Sequence, residues 1–280
     1  MSVQIIVDST ADMTEEVKSR VMVVPLTVNF GEEEYIDGVT IDHRQFYQKL
    51  MKSDVLPRTS QAGPASFEAE FEKLRAAGDT AVVLTLSSQL SGTYQSAMIA
   101  AAEYKDRVFV VDTGTVAIAS GILAELALRL IDQGLDAREL AARLAQEREK
   151  LCVIAMLDTL EYLKRGGRIS KTAAFAGSIL GIKPVVTIRE GKILILGKAR
   201  GSKQGNNLLI KEIEKSGGVD FSKPLLLGYT GLSDALLWRY IEDSRSLWAE
   251  YGREPRYTII GSVIGTHAGP GAIAAAFFRK

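Results

Sequence analysis

The sequence predicts an α/β protein in two domains: an N-terminal three-layer α/β/α domain with a mostly parallel sheet, and a C-terminal two-layer α/β domain with a mixed sheet. Three observations carry this. From residue 1 to about 150, short β-rich runs alternate with longer stretches of helical spacing, the order expected of parallel strands with helices on their faces. The strand candidates in that half are nearly continuous in apolar character, as strands buried on both faces tend to be. The second half changes texture: "IKPVVTIREGKILILGKARG" reads as two strands around the turn Glu190-Gly191, a hairpin rather than a βαβ unit. The boundary is placed at residue 160, giving domains 1–160 and 161–280.

In chain order, the first-half strands are expected at residues 3–7, 22–28, 81–86 and 108–111. Between them, "IDHRQFYQKLMKS" starts on Asp42 as an N-cap, and "GPASFEAEFEKLRAAG" carries Pro64 near its first turn and Gly78 at its end. "SGTYQSAMIAAAEYK" opens on Ser91, and two longer helices fill about 116–133 and 137–150. After the hairpin come a helix over about 206–215, a strand "PLLLGYT", an amphipathic helix over about 234–251 and a strand "YTIIGSVIG". The Ala-rich segment after "GTHAGPG" is expected to be a closing helix that packs across the domain interface.

Composition narrows the function classes. Lys plus Arg and Asp plus Glu are equal at 34 each, so no overall field draws the chain to nucleic acid or to an anionic membrane. The apolar runs are interrupted too soon to span a bilayer. The N-terminus has an apolar stretch but neither the basic flank nor the cleavage site of a signal peptide, so it reads as a first strand. Cys152 is the sole cysteine and cannot form an internal disulfide, which fits a reducing, cytoplasmic setting. With two distant histidines, His43 and His267, there is no recognisable zinc cluster.

In open α/β sheets ligands bind beyond the carboxyl ends of strands, where loops enter helices. Four segments of that kind carry polar groups. "RTSQAGP" offers Thr59 and Ser60; "LSSQLSGTYQSA" offers Ser91 at a helix start, where free N–H groups favour an anion. Each is explained equally well by capping or by a plain turn. "LKRGGRIS" sets Arg165 and Arg168 around Gly166-Gly167, more than a helix C-cap requires, and suits an anionic or docking role. "GTHAGPG" places His267 in a turn expected to lead into a helix; a lone histidine is more often structural than functional. That turn lacks the Lys and Ser/Thr of a P-loop and the spacing of a dinucleotide fingerprint. No G-x-S-x-G elbow surrounds any serine.

Taken together, "VDSTADMT", "VVPLTV", "RTSQAGP", "LSSQLSGTYQSA", "VVDT", "LEYLKRGGRIS", "IKPVVTI" and "GTHAGPGAIAAAF" resemble the DegV family in order and approximate spacing, over nearly the whole chain. The resemblance implies a protein that binds a long-chain fatty acid in a buried tunnel between two domains. Some members serve as the fatty-acid-binding, non-catalytic subunit of bacterial fatty acid kinase, presenting the carboxylate to a separate kinase subunit for acyl-phosphate formation. It implies no cofactor beyond the bound fatty acid, no metal, no nucleic-acid partner and, at most, a transient membrane contact.

Carried over residue by residue, the resemblance puts Thr59, Ser91 and His267 at the fatty acid carboxylate. Arg165 falls at the head group or kinase-docking position, with Arg168 beside it. One departure is visible: a proline is expected soon after "TSQ", where this chain has Ala62-Gly63-Pro64, so either Thr59 or Ser60 faces the ligand. His267 either donates to the head group or orients the two hydroxyls. Burying a C16 tail at roughly 0.8 kcal/mol per methylene yields on the order of 10 kcal/mol before ordering costs. Tunnel walls are expected from "KTAAFAGSILGI", with Phe175, Ile179 and Leu180 at near-helical spacing. The alternative is an enzyme of the dihydroxyacetone kinase type, in which His267 holds a small carbonyl substrate.

Overall fold

The structure, a computed structural model, describes residues 2–169 and 181–280. The tunnel-wall expectation for Phe175, Ile179 and Leu180 lies outside the described residues. In chain order the strands are β1 (Val3–Asp8), β2 (Met22–Val24), β3 (Thr27–Phe30), β4 (Glu33–Ile36), β5 (Arg58–Ser60), β6 (Thr80–Thr85) and β7 (Val108–Asp112). They continue with β8 (Leu151–Met156), β9 (Ile182–Arg189), β10 (Lys192–Arg200), β11 (Leu226–Tyr229), β12 (Tyr257–Ile259) and β13 (Ile273–Phe278). The fold is mixed α/β, with a parallel sheet ordered β2-β1-β6-β7 and a mixed sheet ordered β10-β9-β8-β13-β11-β12.

Local signals explain many of the elements. Asp42 caps the helix His43–Lys52 in a reciprocal capping box with Gln45. Pro64 opens the helix Pro64–Ala77, and Gly78 closes it in the left-handed conformation. Glu190-Gly191 turns β9 into β10, both residues at positive φ. The helix Ile118–Asp132 is buried along most of its circumference, as a helix packed on both sides must be. Its side chains share one core with Val7, Val82 and Val111 of the parallel sheet and Val153, Leu226 and Ala276 of the mixed sheet.

Three expectations are corrected. The run 22–28 is not one strand: Pro25 breaks it, β2 stays in the parallel sheet, and β3 joins β4 and β5 in a separate antiparallel sheet. The segment "YTIIGSVIG" is strand only to Ile259; Ser262–Ala268 is a helix, so His267 lies in a last helical turn rather than leading into a first one. The Ala-rich close is not a helix packed across an interface. It is β13, buried at every residue and hydrogen-bonded between β8 and β11. Alanine favours helix intrinsically, but a segment buried on both faces satisfies its backbone equally well in a ladder, and packing decides. In the sheets themselves, Leu151–Met156 pairs with β9 and β13, so β8 is the first strand of the mixed sheet.

Candidate functional site

The carboxyl end of β6 meets the inner face of the mixed sheet at a cavity of about 410 Å³. Its wall is largely apolar, including Val116, Val153, Val186, Ile188, Ile193 and Ile260 among the described residues. The small side chains of Ala155, Ala272 and Ala274 also line it. Alanine on β8, on β13 and just before β13 leaves space that leucine or isoleucine would fill, which is the local reason a void exists inside a packed interior.

Polar groups gather at one side. Thr59 projects from β5, which is held by β3 through the Val28–Thr59 pair. Its Oγ1 lies 3.0 Å from Nε2 of His267, on the last turn of the helix Ser262–Ala268. That helix is fastened at its other end by Asp12, whose Oδ1 accepts the Gly261 N–H at 2.7 Å. Burial raises the Asp12 carboxyl well above the usual range. Ser60 also lines the cavity, but the hydroxyl that meets His267 belongs to Thr59.

Ser91 sits where the β6 loop enters the helix Thr93–Ala100. Its Oγ is 2.9 Å from Thr93 Oγ1 and accepts the Thr93 N–H at 3.3 Å, a local turn just before the N-cap Gly92, while lining the cavity. The loop is pinned along its length. Asp8 Oδ2 accepts the Leu86 N–H at 2.7 Å, Ser87 Oγ donates to the Gly191 carbonyl at 2.8 Å, and Arg168 Nε donates to the Leu90 carbonyl at 3.2 Å. Gln61, a residue the sequence did not single out, ties the two hydroxyl loops together. It donates to Ser96 Oγ at 3.0 Å and packs so closely on Gly92 that a Cβ there would lie 2.1 Å from Gln61 Oε1. The visible signal was a glycine directly after Ser91, where the backbone must admit a neighbour.

His267 is half-buried, with its ring neutral near pH 7. Burial, reinforced by the positive charge of Arg168, lowers its ring from the ordinary 6.5 to about 4. Nδ1 has no hydrogen-bond partner among the described residues and faces Gly166, where a Cβ would stand 2.2 Å away. The first glycine of "KRGGR" is therefore required by the imidazole, not by a helix cap. A neutral ring carries one proton. With it on Nε2, His267 donates to Thr59 Oγ1 and leaves the threonine O–H free to donate into the cavity.

The two arginines separate. Arg168 lines the cavity and also donates through Nη1 to the Gly166 carbonyl at 2.8 Å. Arg165 does not line it; it is exposed and paired with Glu161 at 2.6 Å. The structure thus brings together Thr59, Ser91, His267 and Arg168, and leaves Arg165 outside. No group of three or more His, Cys, Asp or Glu side chains among the described residues could hold a metal ion. Nor is any helix there long and apolar enough to cross a membrane. Hydroxyl donors, a neutral imidazole and a guanidinium beside an apolar void suit an amphiphile with an anionic head.

Comparison with known proteins agrees with this chemistry. A DegV domain-containing protein of Caldanaerobacter subterraneus subsp. tengcongensis is 35% identical, with 99% of each chain covered. A Thermus thermophilus structure, described as fatty acid binding of a DegV family protein, superposes with a TM-score of 0.86 at 30% identity, over 99% of this chain and all of that one. A stearic acid-binding protein from Eubacterium ventriosum superposes equally well at 26% identity, over the whole of this chain and 99% of that one. The family model described as "Uncharacterised protein, DegV family" matches residues 2–280, end to end across the strands and loops that build the cavity, and the chain belongs to that family.

Proposed function

We propose that this protein binds a long-chain fatty acid in the cavity between the domain of the parallel sheet and that of the mixed sheet, and presents its carboxylate to a separate kinase subunit for acyl-phosphate formation. Thr59 and Ser91 donate to the carboxylate, His267 orients Thr59, and Arg168 supplies positive charge at the head. The observation that carries the reading is the Thr59–His267 contact of 3.0 Å at the polar side of an otherwise apolar cavity. A small carbonyl substrate would use the polar side and leave most of that wall in contact with nothing. The chain itself acts as a lipid-binding protein, and the phosphoryl chemistry belongs to its partner.

Native mass spectrometry of protein purified from bacteria tests this directly. The expected result is a co-purified mass of a long-chain fatty acid, recovered when delipidated protein is reloaded with palmitate. A protein that takes up only small ketones would overturn the reading. The arginines then divide by role. Arg168→Ala should weaken fatty acid binding about tenfold, the loss of one charge-assisted interaction. Arg165→Ala should keep the ligand and lose acyl-phosphate production when a kinase subunit is supplied. Normal turnover in Arg165→Ala would remove that residue from docking.

A further inference from the structure

The cavity has a direction that the strand register makes explicit. On β8 and just past its end the lining residues are Val153, Ala155 and Leu157. Ala155 is paired with Val186 on one side and Ala274 on the other. The same antiparallel register sets Val153 beside Ile188, and Ile188 is paired in turn with Ile193 of β10. The Leu157 end of this face lies next to the helix Glu161–Arg165 and its loop, where Arg168 and His267 meet. The Val153, Ile188 and Ile193 row lies about 13 Å farther along the sheet, at roughly 3.3 Å per residue.

Around the end of the sheet and on its opposite face, where Ile154 packs with Leu209 and Ile213, the surroundings change abruptly. A second cavity of about 730 Å³ is lined by polar and charged groups, among them Asp112, Arg148, Arg189, Glu190 and Arg279. Among the described residues only Thr187 and Ile188 line both cavities. Thr187 is fully engaged, its hydroxyl donating to the Val153 carbonyl at 2.7 Å. Strand alternation puts the Ile188 side chain on the same face as Val186, the face of the apolar cavity. Ile188 is thus the last apolar side chain of that face before the Glu190-Gly191 turn, which lines the second cavity.

We infer that Ile188, backed by Ile193, is the stop for the ω-end of the acyl chain and sets the chain length this protein prefers. The inference rests on the fatty acid reading above. Each methylene added in the apolar chamber should strengthen binding about fourfold. A methylene pushed past Ile188 reaches the polar turn at Glu190-Gly191, held against Ser87, gains little apolar burial and strips water from polar groups. Affinity should therefore climb with chain length to a break and then level or fall.

Delipidated protein titrated with saturated acids from ten to twenty carbons, by calorimetry or by displacement of a fluorescent acid, locates the break. Ile188→Ala should move it to longer chains by two or more methylenes, and Ile188→Phe to shorter ones. The opposite shifts make a folding defect in either variant recognisable, because damage alone lowers affinity without moving the break in two directions. Fatty acid binding with the same break in wild type and both variants would overturn the role of Ile188 and leave the fatty acid reading standing. A wild-type protein that binds none of the acids would overturn the reading and this inference with it.

Discussion

Replacing Thr59 by valine together with Ser91 by alanine should weaken binding of a long-chain fatty acid by a hundredfold or more while leaving the tail chamber intact. Thr59→Val preserves the shape of the side chain and removes its O–H. That deletes the proposed donor to the carboxylate and leaves Nε2 of His267 facing a methyl group instead of the oxygen now 3.0 Å away. A hydrogen bond to a charged group contributes about 1.5–3 kcal/mol, and each 1.4 kcal/mol is tenfold in affinity, so two such bonds account for roughly two to four decades. The apolar contribution survives because neither substitution touches Val153, Val186 or Ile188. The methyl ester of the same acid separates head recognition from general damage. Wild type should prefer the acid strongly, and the double variant should bind acid and ester alike. Equal losses for acid and ester would mean that the scaffold had been damaged, and an unchanged affinity for the acid would remove both hydroxyls from the site.

How much of this site the sequence discloses depends on the distance over which its parts interact. Asp42, Pro64, Gly78 and the Glu190-Gly191 turn act on their immediate neighbours, and each element they punctuate lies where that local chemistry puts it. The hydroxyl loops after β5 and β6 are legible for the same reason. The contact between Thr59 and His267 spans 208 residues and no spacing rule reaches it; only the family resemblance set the two side by side. Propensity misled where burial dominates. Ile273–Phe278 looks helical by its alanines, but those alanines are small because a cavity and a packed core lie on the two faces of the strand. Reading that segment as a helix also misplaced His267 at a helix start, when it closes the helix Ser262–Ala268. The order of the two arginines was hidden as well. Arg165 and Arg168 flank the same glycines, and only the turn through Gly166-Gly167 sends one to Glu161 and the other to the cavity.

The state of His267 leads to a second large effect, visible in stability against pH. Burial holds the ring near 4 against an ordinary 6.5, so in the folded protein it is neutral across the range in which the unfolded chain takes up a proton. Between those two values the unfolded state binds more protons, and stability must fall as pH falls. The contribution is fully present above 6.5 and is lost on the way down to about 4. It amounts to about 3 kcal/mol, because each tenfold difference in proton affinity between the folded and unfolded chain is worth about 1.4 kcal/mol. Raw profiles mix this with the buried carboxyls of Asp8, Asp12 and Asp37, whose raised values act in the opposite direction. The informative quantity is therefore the difference between wild type and His267→Gln, an uncharged side chain that does not titrate. Measured by chemical denaturation of ligand-free protein, that difference should be flat above about pH 7 and shift against wild type between 6.5 and 4. A constant difference across that window would mean the imidazole is not held neutral by burial. The neutral ring also fixes what the histidine does for its ligand. A donor that carries no charge at about pH 7 orients Thr59 without pairing ionically with the carboxylate, so head-group affinity should stay level from about pH 6.5 to 8, where an imidazolium partner would lose its grip as it deprotonated.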